Sequence, residues 1–152
     1  MSDRAYTIPA MVAAMAGADP AAIALRAPGR GALSYGTLAA QLDTTAKVLR
    51  DWDLRPGERV VGQVPNGPEA AIACLVVSGV CAYAPLAPGL TEAEVATALD
   101  LLNPTTVLVA EDLDTPLRQL AAQRQLTLLE LRTPAHTPAG TKIGRASCRE
   151  RV

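Results

Sequence analysis

The sequence predicts an α/β fold, an incomplete doubly wound sheet whose strands are mostly parallel. Short apolar runs rich in valine alternate along the chain with longer segments of helical periodicity. This alternation is typical of strands joined by right-handed helical crossovers, with helices on both faces of the sheet. Hydrophobic residues make up 49% of the 152 residues, which is enough for one domain with a buried core.

A short helix and a hairpin are predicted at the start of the chain. Residues 7–16 indicate a helix that begins near Pro9 and carries three apolar side chains on one side, Met11, Val12 and Met15. Residues 22–25 are a candidate strand, and residues 28–31 form a turn that leads to Leu33. The favoured interpretation of this segment is a hairpin turn, since its glycines lack the spacing of a nucleotide-binding loop (Gly29, Gly31 and Gly36).

The second helix is predicted over residues 35–52. Ser34 precedes it and can cap its first turn. Apolar residues recur at helical spacing on one face, at Leu38, Leu42, Ala46 and Leu49, which indicates core packing and implies no cofactor.

The centre of the chain is a β-α-β unit. The turn at Pro56-Gly57 leads into a β-branched strand over residues 60–64. Asn66 or Gly67 can cap a helix that begins at Pro68, and the apolar run that follows predicts a helix buried nearly all round. Gly79 ends this helix, and residues 81–84 indicate a second buried strand, which Pro85-Leu86 ends.

Residues 70–91 also permit a different interpretation, because they carry no charge and are long enough to span a bilayer. Glycines and prolines interrupt this stretch at Gly79, Pro85, Pro88 and Gly89. A buried helix followed by a strand is therefore favoured, and no membrane partner is expected.

The fourth predicted helix begins with a capping box, in which Thr91 is the cap and Glu94 its partner. Its apolar face consists of Val95, Ala98, Leu99 and Leu102. A strand over residues 105–110, a helix over 115–125 and a strand over 126–131 follow.

Three acidic residues, Glu111, Asp112 and Asp114, come just after the strand at residues 105–110. Open α/β sheets often place ligands at such strand ends, so these acids could hold a metal ion. A solvated acidic loop is the favoured alternative.

Composition excludes several other kinds of site. The net charge of −1 and the 3% aromatic content provide neither a basic field nor stacking platforms for nucleic acid. The cysteines form no disulfide framework and have no metal-ligand spacing (Cys74, Cys81 and Cys148). His136, the one histidine, lies in a Pro/Thr-rich stretch and is interpreted as a solvated loop residue. The N-terminus has no signal-peptide pattern, which predicts a cytoplasmic protein.

Four short motifs occur together in one order: Leu33-Ser34-Tyr35-Gly36-Thr37-Leu38, Pro56-Gly57-Glu58-Arg59-Val60, Pro65-Asn66-Gly67-Pro68-Glu69 and Pro85-Leu86-Ala87-Pro88. Over residues 22–110 the chain resembles the N-terminal part of adenylate-forming enzymes, which include acyl-CoA synthetases, peptide-synthetase adenylation domains and luciferases. It departs from the family pattern at three positions, Glu58, Val80 and Ala87. The Ala-Pro-Leu-x-Pro form is more similar to acyl-CoA synthetases of the oxalate type than to peptide-synthetase domains.

The resemblance implies a parent enzyme that uses ATP and Mg²⁺ to convert a carboxylic acid into an acyl-adenylate. The acyl group then passes to a thiol, of CoA or of a carrier protein. The family's Gly/Ser/Thr-rich phosphate loop, its Mg²⁺ acid and its catalytic lysine do not occur here, since the lysines are Lys47 and Lys142. No catalytic, cofactor-binding or metal-binding residue is therefore assigned, and the chain itself is expected to be inactive. Matching positions have structural roles, Gly57 and Gly67 in turns and Tyr35 and Asn66 at helix starts.

The last ten residues, 143–152, differ in character from the rest, with three arginines and no helical or strand period. They match one reading frame of a common short-read sequencing adapter (ATCGGAAGAGCGTCGTGTAGGGAAAGAGTG), and Lys142 fits the junction codon. The alternative is a natural basic tail. We thus expect residues 1–132 to be the N-terminal part of an adenylation domain, 133–142 a linker or truncated continuation, and 143–152 an artefact.

Two hypotheses about function remain. The first is a fragment of a ligase, and a fragment of a peptide-synthetase adenylation domain is a variant of it. The second is a non-enzymatic α/β module that binds a partner through the strand ends near residues 111–114. A fragment would leave sheet edges and apolar surface uncovered, so we also expect self-association.

Overall fold

Helices and strands alternate through residues 7–132, the part of the chain that the structure, a computed structural model, describes. The elements in chain order are α1 (Ile8–Ala18), β1 (Ile23–Leu25), β2 (Leu33–Ser34), α2 (Tyr35–Asp51), β3 (Arg59–Gln63), α3 (Pro68–Ser78), β4 (Ala82–Pro85), α4 (Glu92–Leu102), β5 (Thr106–Ala110), α5 (Pro116–Gln123) and β6 (Thr127–Leu131). Every predicted element is present, which confirms the α/β class.

The main sheet has four parallel strands in the order β4-β3-β5-β6. In its register Val61 of β3 lies between Ala84 of β4 and Val107 of β5. The chain passes from β3 to its neighbour on one side and then, through α4, to its neighbour on the other side. The strand order therefore reverses at β3, as it does in doubly wound sheets. The hairpin β1–β2 forms a separate antiparallel pair.

Helices cover both faces of this sheet and create two cores. Val60, Leu108 and Leu129 belong to a core built mainly with α2 and α3. Val61 and Val107 belong to the other core, built with α4 and α5. Val60 and Val61 are adjacent in β3 and fully buried on opposite faces, because side chains alternate along a strand.

The predicted caps begin two helices as expected. The Ser34 hydroxyl accepts a hydrogen bond from the backbone N–H of Thr37 at the start of α2. Thr91 and Glu94 form the complete capping box of α4, with the backbone N–H of Thr91 donating to the Glu94 carboxylate at 2.8 Å. At α3 the cap is Gly67, without a side-chain hydrogen bond. The sequence left Asn66 and Gly67 as alternative caps. The Asn66 alternative is wrong, because this residue lies one position before the cap.

The prediction for α1 is wrong in one respect. Met11 and Met15 are 58% and 47% exposed, whereas Val12 is buried. The helix packs through Val12 and Pro9, and Pro9 contacts the end of α3, where a Cβ added to Gly79 would lie 2.8 Å from its Cγ. Since Met11 and Met15 are four residues apart, they share the outward side of the helix.

The end of α5 also differs from its prediction, since the helix stops at Gln123 and Thr115 is its cap. Gln125 adopts a left-handed conformation with φ of 56°. Its N–H donates to the carbonyl of Ala122, and the N–H of Leu126 donates to that of Ala121. These two bonds form a Schellman motif, which ends a helix without requiring glycine.

Residues 70–91 form α3, β4 and the loop to α4, as the buried interpretation predicts. None of the helices described in residues 7–132 is long and apolar enough to cross a membrane. On α2, Thr45 is buried, and Ala46, predicted for the apolar face, is only half-buried.

Candidate functional site

The carboxyl edge of the parallel sheet is the candidate site, because open α/β sheets bind ligands beyond the carboxyl ends of their strands. Three loops meet at this edge, residues 64–67 after β3, 86–91 after β4 and 111–115 after β5. The sequence points to this edge through Glu111, Asp112 and Asp114.

A buried hydrogen-bonded network, which we call the Gln63 network, lies where the strand order reverses. The side chain of Gln63, the last residue of β3, is fully buried. Its Nε2 donates to the carbonyl of Ala87 at 2.9 Å, and its Oε1 accepts from the Thr115 hydroxyl. Thr115 Oγ1 in turn accepts from the backbone N–H of Leu117. The network thus ties the loop after β4 to the first turn of α5.

A pocket of about 240 Å³ lies beside this network, at the ends of β3 and β4. It is lined by Val64, Asn66, Ala70, Tyr83 and the segment 85–88. The ring of Tyr83 lies over Gly62, where a Cβ atom would come within 2.6 Å of Tyr83 Cε2. Glycine at this position therefore provides the room for the tyrosine ring.

Two titratable groups are held in their neutral forms, Tyr83 within β4 and Cys81 just before β4, at the opposite, amino edge of the sheet. Burial raises the pKa of the Tyr83 phenol to about 12. Burial, and secondly the negative charge of Glu58, raises the pKa of the Cys81 thiol to about 11. At neutral pH neither group is ionised, so neither is poised to act as a base or a nucleophile.

The acidic residues after β5 lie on the surface rather than around a common point. Glu111, Asp112 and Asp114 are exposed, and the Glu111 carboxylate pairs with Arg132 at 2.9 Å. Within residues 7–132, no group of three metal-ligating side chains converges. The residues that are described therefore do not fit a Mg²⁺ ion, and the solvated acidic loop stays a prediction.

Arg118 of α5 organises the same loop, although nothing in the sequence pattern indicated it. Its guanidinium donates to the carbonyls of Ala110, Glu111 and Leu113 at 2.7, 2.9 and 3.0 Å. It also pairs with Glu130 of β6 at 2.5 Å. These contacts use its donors on the protein itself, so its role is to hold the loop.

Other cationic side chains are similarly engaged in separate ion pairs. Arg30 pairs with Glu69, Lys47 with Asp43, Arg55 with Asp53 and Arg124 with Asp100. A triphosphate site needs cations and backbone N–H groups that converge on one point. These dispersed pairs do not supply it.

The remaining candidates contribute no further groups to this edge. Cys81 is a buried free thiol and Cys74 a half-buried one. His136, Lys142, Cys148 and the proposed adapter segment 143–152 lie outside the described residues.

The fold and the sequence together place the chain in one family of proteins. Residues 12–146 match the profile of the family described as AMP-binding enzyme, and the chain belongs to that family.

Among curated proteins, the chain is similar to the fatty acid--[acyl-carrier-protein] ligase MmaC of Mycobacterium marinum, with 37% identity over 112 residues. The alignment covers 72% of this chain and 21% of MmaC, so the chain spans about a fifth of that relative's length.

Solved structures show the same fold at lower identity. ATP-bound MatB from Rhodopseudomonas palustris superposes with a TM-score of 0.72 and 24% identity, over 89% of this chain and 27% of its own. VinN superposes with a TM-score of 0.71 and 20% identity, over 82% of this chain and 31% of VinN. The N-terminal subdomain of Klebsiella oxytoca NpsA superposes with a TM-score of 0.66 and 21% identity, over 72% of this chain and 29% of the NpsA chain.

Proposed function

We propose that this chain is the N-terminal part of an AMP-forming acid–thiol ligase. The parent enzyme activates a carboxylic acid with ATP and Mg²⁺ to an acyl-adenylate and pyrophosphate, and then transfers the acyl group to a thiol. The observation that carries the proposal is the 37% identity with the acyl-carrier-protein ligase MmaC. The bacterial sources of MmaC and MatB support a bacterial parent, and the use of ATP supports a cytoplasmic one.

Two thiols are alternative acceptors in the second half of this reaction, that of CoA and that of a carrier protein. The sequence motifs are more similar to those of acyl-CoA synthetases, whereas MmaC is described as a ligase for an acyl carrier protein. We give precedence to the carrier-protein thiol, because it rests on similarity over 72% of the chain rather than on one short motif.

An amino acid is a second candidate for the acid that is activated. The structure of VinN in complex with L-aspartate has a TM-score of 0.70 with this chain, at 21% identity. An amino-acid substrate would connect the chain with peptide-synthetase adenylation domains, the alternative that the sequence motifs left open.

The chain on its own is proposed to be inactive and to bind neither ATP nor Mg²⁺. The residues described at the sheet edge form no metal site, and the cations whose partners are seen are engaged in separate ion pairs. In this view residues 7–132 supply a scaffold, and the phosphate-binding and acyl-binding groups come from further along the parent. Residues 143–152 are proposed to be foreign to it.

The test begins with the source DNA, amplified and sequenced from the codon of Thr141 onward. The complete open frame is then expressed and assayed for ATP–pyrophosphate exchange with a panel of fatty acids and amino acids, and for loading of CoA and of a carrier protein. The 152-residue chain serves as the matched control.

We expect an open frame that continues into a Gly/Ser/Thr-rich loop with a lysine, exchange activity in the long protein and none in the 152-residue chain. A genomic stop codon directly after residue 152 would contradict the proposal of a ligase. A small binding module would then be the favoured hypothesis. Exchange by the 152-residue chain itself would contradict the scaffold role.

A further inference from the structure

We propose that the outer surface of α1 and of residues 70–78 in α3, which we call the uncharged face, is the contact surface for the later part of the parent protein. This proposal rests on the ligase function, because its partner is the remainder of that enzyme. It adds to that function the side of residues 7–132 that the remainder covers.

The absence of charge distinguishes this face from the other helices. None of the 11 residues of α1 is charged, and α3 has no charged residue after its first turn. Charged side chains occur on α2, α4 and α5, among them Lys47, Asp100 and Arg118. A helix whose outer side faces water usually carries charged or polar residues there. The composition of α1 and α3 therefore indicates a covered surface.

The part of the face on α1 is apolar and open. Met11 and Met15 are 58% and 47% exposed, and Ala14 is also exposed. These three residues lie on the same side of the helix, because residues three and four positions apart are neighbours on a helix surface. Exposed apolar residues that adjoin one another, unlike single ones, are typical of a contact site.

The face continues from α1 onto α3. The two helices meet where Pro9 contacts the end of α3 at Gly79. Beyond this contact, Cys74 is half-buried, and Ser78 is the one exposed residue of α3. The two helices thus form one continuous surface without a charged side chain.

The later part of the parent is the occupant that these observations favour. The aligned residues make up 21% of MmaC and 27% of MatB, so most of the proposed parent lies outside this chain. Because it belongs to the same chain, that part has an effective concentration near the face in the ~mM range, and a modest apolar surface is then enough for contact. Helices that lie on membranes carry Lys or Arg beside their apolar side, and neither occurs in α1 or in residues 70–78.

Oxidation of methionine by hydrogen peroxide measures how well the face is covered, because the reagent must reach the sulfur atom. The 152-residue chain and the protein encoded by the complete open frame are both prepared with Leu101→Met. This substitution places a reference methionine on α4, at a position that is 82% exposed. Mass spectrometry follows the three sulfoxides separately.

We expect Met11 and Met15 to be oxidised about as fast as the reference methionine in the dilute 152-residue chain. In the parent we expect them to be oxidised at least about tenfold more slowly than the reference in the same molecule. The comparison within one molecule removes differences in reagent concentration.

A charge placed within the face should remove this protection. Ala14→Arg, on the exposed side of α1, should raise the oxidation rates of Met11 and Met15 in the parent to nearly that of the reference, because the contact would have to bury the guanidinium. Thr97→Arg, at an exposed position of α4, is the matched control and should leave the protection unchanged. Circular dichroism shows whether each variant is folded.

Four results would overturn the proposal. Equal oxidation rates at Met11, Met15 and the reference in a parent that still catalyses ATP–pyrophosphate exchange would leave the ligase in place and exclude the contact. Protection that disappears when the parent is diluted would assign the face to a second copy. Unchanged protection in a folded Ala14→Arg parent would place the contact elsewhere. An open frame that ends at residue 152 would contradict the ligase and the contact together.

Discussion

The aromatic ring of Tyr83 in β4 lies against the backbone of Gly62 in the neighbouring strand β3. A Cβ atom at position 62 would come 2.6 Å from Cε2 and 2.7 Å from Cζ of the ring. Both distances are below van der Waals contact, so a larger residue at position 62 requires the ring to move. The pair therefore shapes the packing of β3 on β4 and the position of Tyr83, which lines the pocket.

Gly62→Ala should lower the free energy of unfolding by about 1–3 kcal/mol, the usual cost of overpacking a well-packed site. Chemical denaturation with urea measures this change. Gly17→Ala is the matched control, because a Cβ at Gly17 meets nothing within 4 Å. In α1 that control should be neutral or stabilising by up to about 1 kcal/mol. Equal effects of the two variants would argue against the close approach of Gly62 and Tyr83.

Gln63→Met should destabilise the fold by about 1–3 kcal/mol, because it leaves the buried Thr115 hydroxyl and the Ala87 carbonyl without their Gln63 partner. The rate of amide hydrogen exchange should also increase in both of the segments that the network connects, residues 86–90 and residues 115–117. Gln119→Met, at an exposed position of α5, is the control and should change stability by less than about 0.5 kcal/mol. Faster exchange in only one of the two segments would show that the network does not couple them.

The capping box of α4 should make stability depend on pH in the acid range. Hydrogen bonds from the Thr91 backbone and then from its side chain lower the pKa of Glu94 from its ordinary value of 4.5. The pKa of Glu94 is lower in the folded state than in the unfolded state. The stabilisation by the capping box is therefore present above pH 4.5 and is lost as the pH falls through the folded-state pKa of Glu94.

Glu94→Gln should therefore reduce the loss of stability between pH 7 and pH 3, measured as the shift in the urea midpoint. Glu92→Gln, in the same helical turn but outside the capping box, is the control. An unchanged pH dependence in Glu94→Gln would mean that the box contributes nothing in solution.

The exposed side of α1 is expected to promote self-association of the 152-residue chain. Met11 and Met15 are both largely exposed on a helix that has no charged residue. The double variant Met11→Glu, Met15→Lys should shift the sedimentation profile toward the monomer, because an i, i+4 charged pair replaces apolar surface. The same pair of substitutions at Ala93 and Thr97, four residues apart on the exposed side of α4, provides the control. If the 152-residue chain without these substitutions is already monomeric at high concentration, this expectation is refuted.

Local sequence signals predicted the order and type of all elements in residues 7–132. Ser34 and the Thr91–Glu94 box mark helix starts by bonds between residues three apart, so their outcome depends on the local chain alone. Gly57, at a φ of 92°, forms the predicted turn for the same reason. The family resemblance also rested on short motifs of this local kind.

Tertiary structure decided the features that depend on distant residues. Gln63 and Thr115 are 52 positions apart, and only the placement of β3 beside β5 brings them together. Sequence periodicity could not show that Gln63 is buried, because a polar residue is buried only where packing supplies its partners. The exposure of Met11 and Met15 has the same origin, since an apolar helix is covered only where another element packs on it. Local chemistry thus determined what each segment becomes, and packing between segments determined which side chains meet.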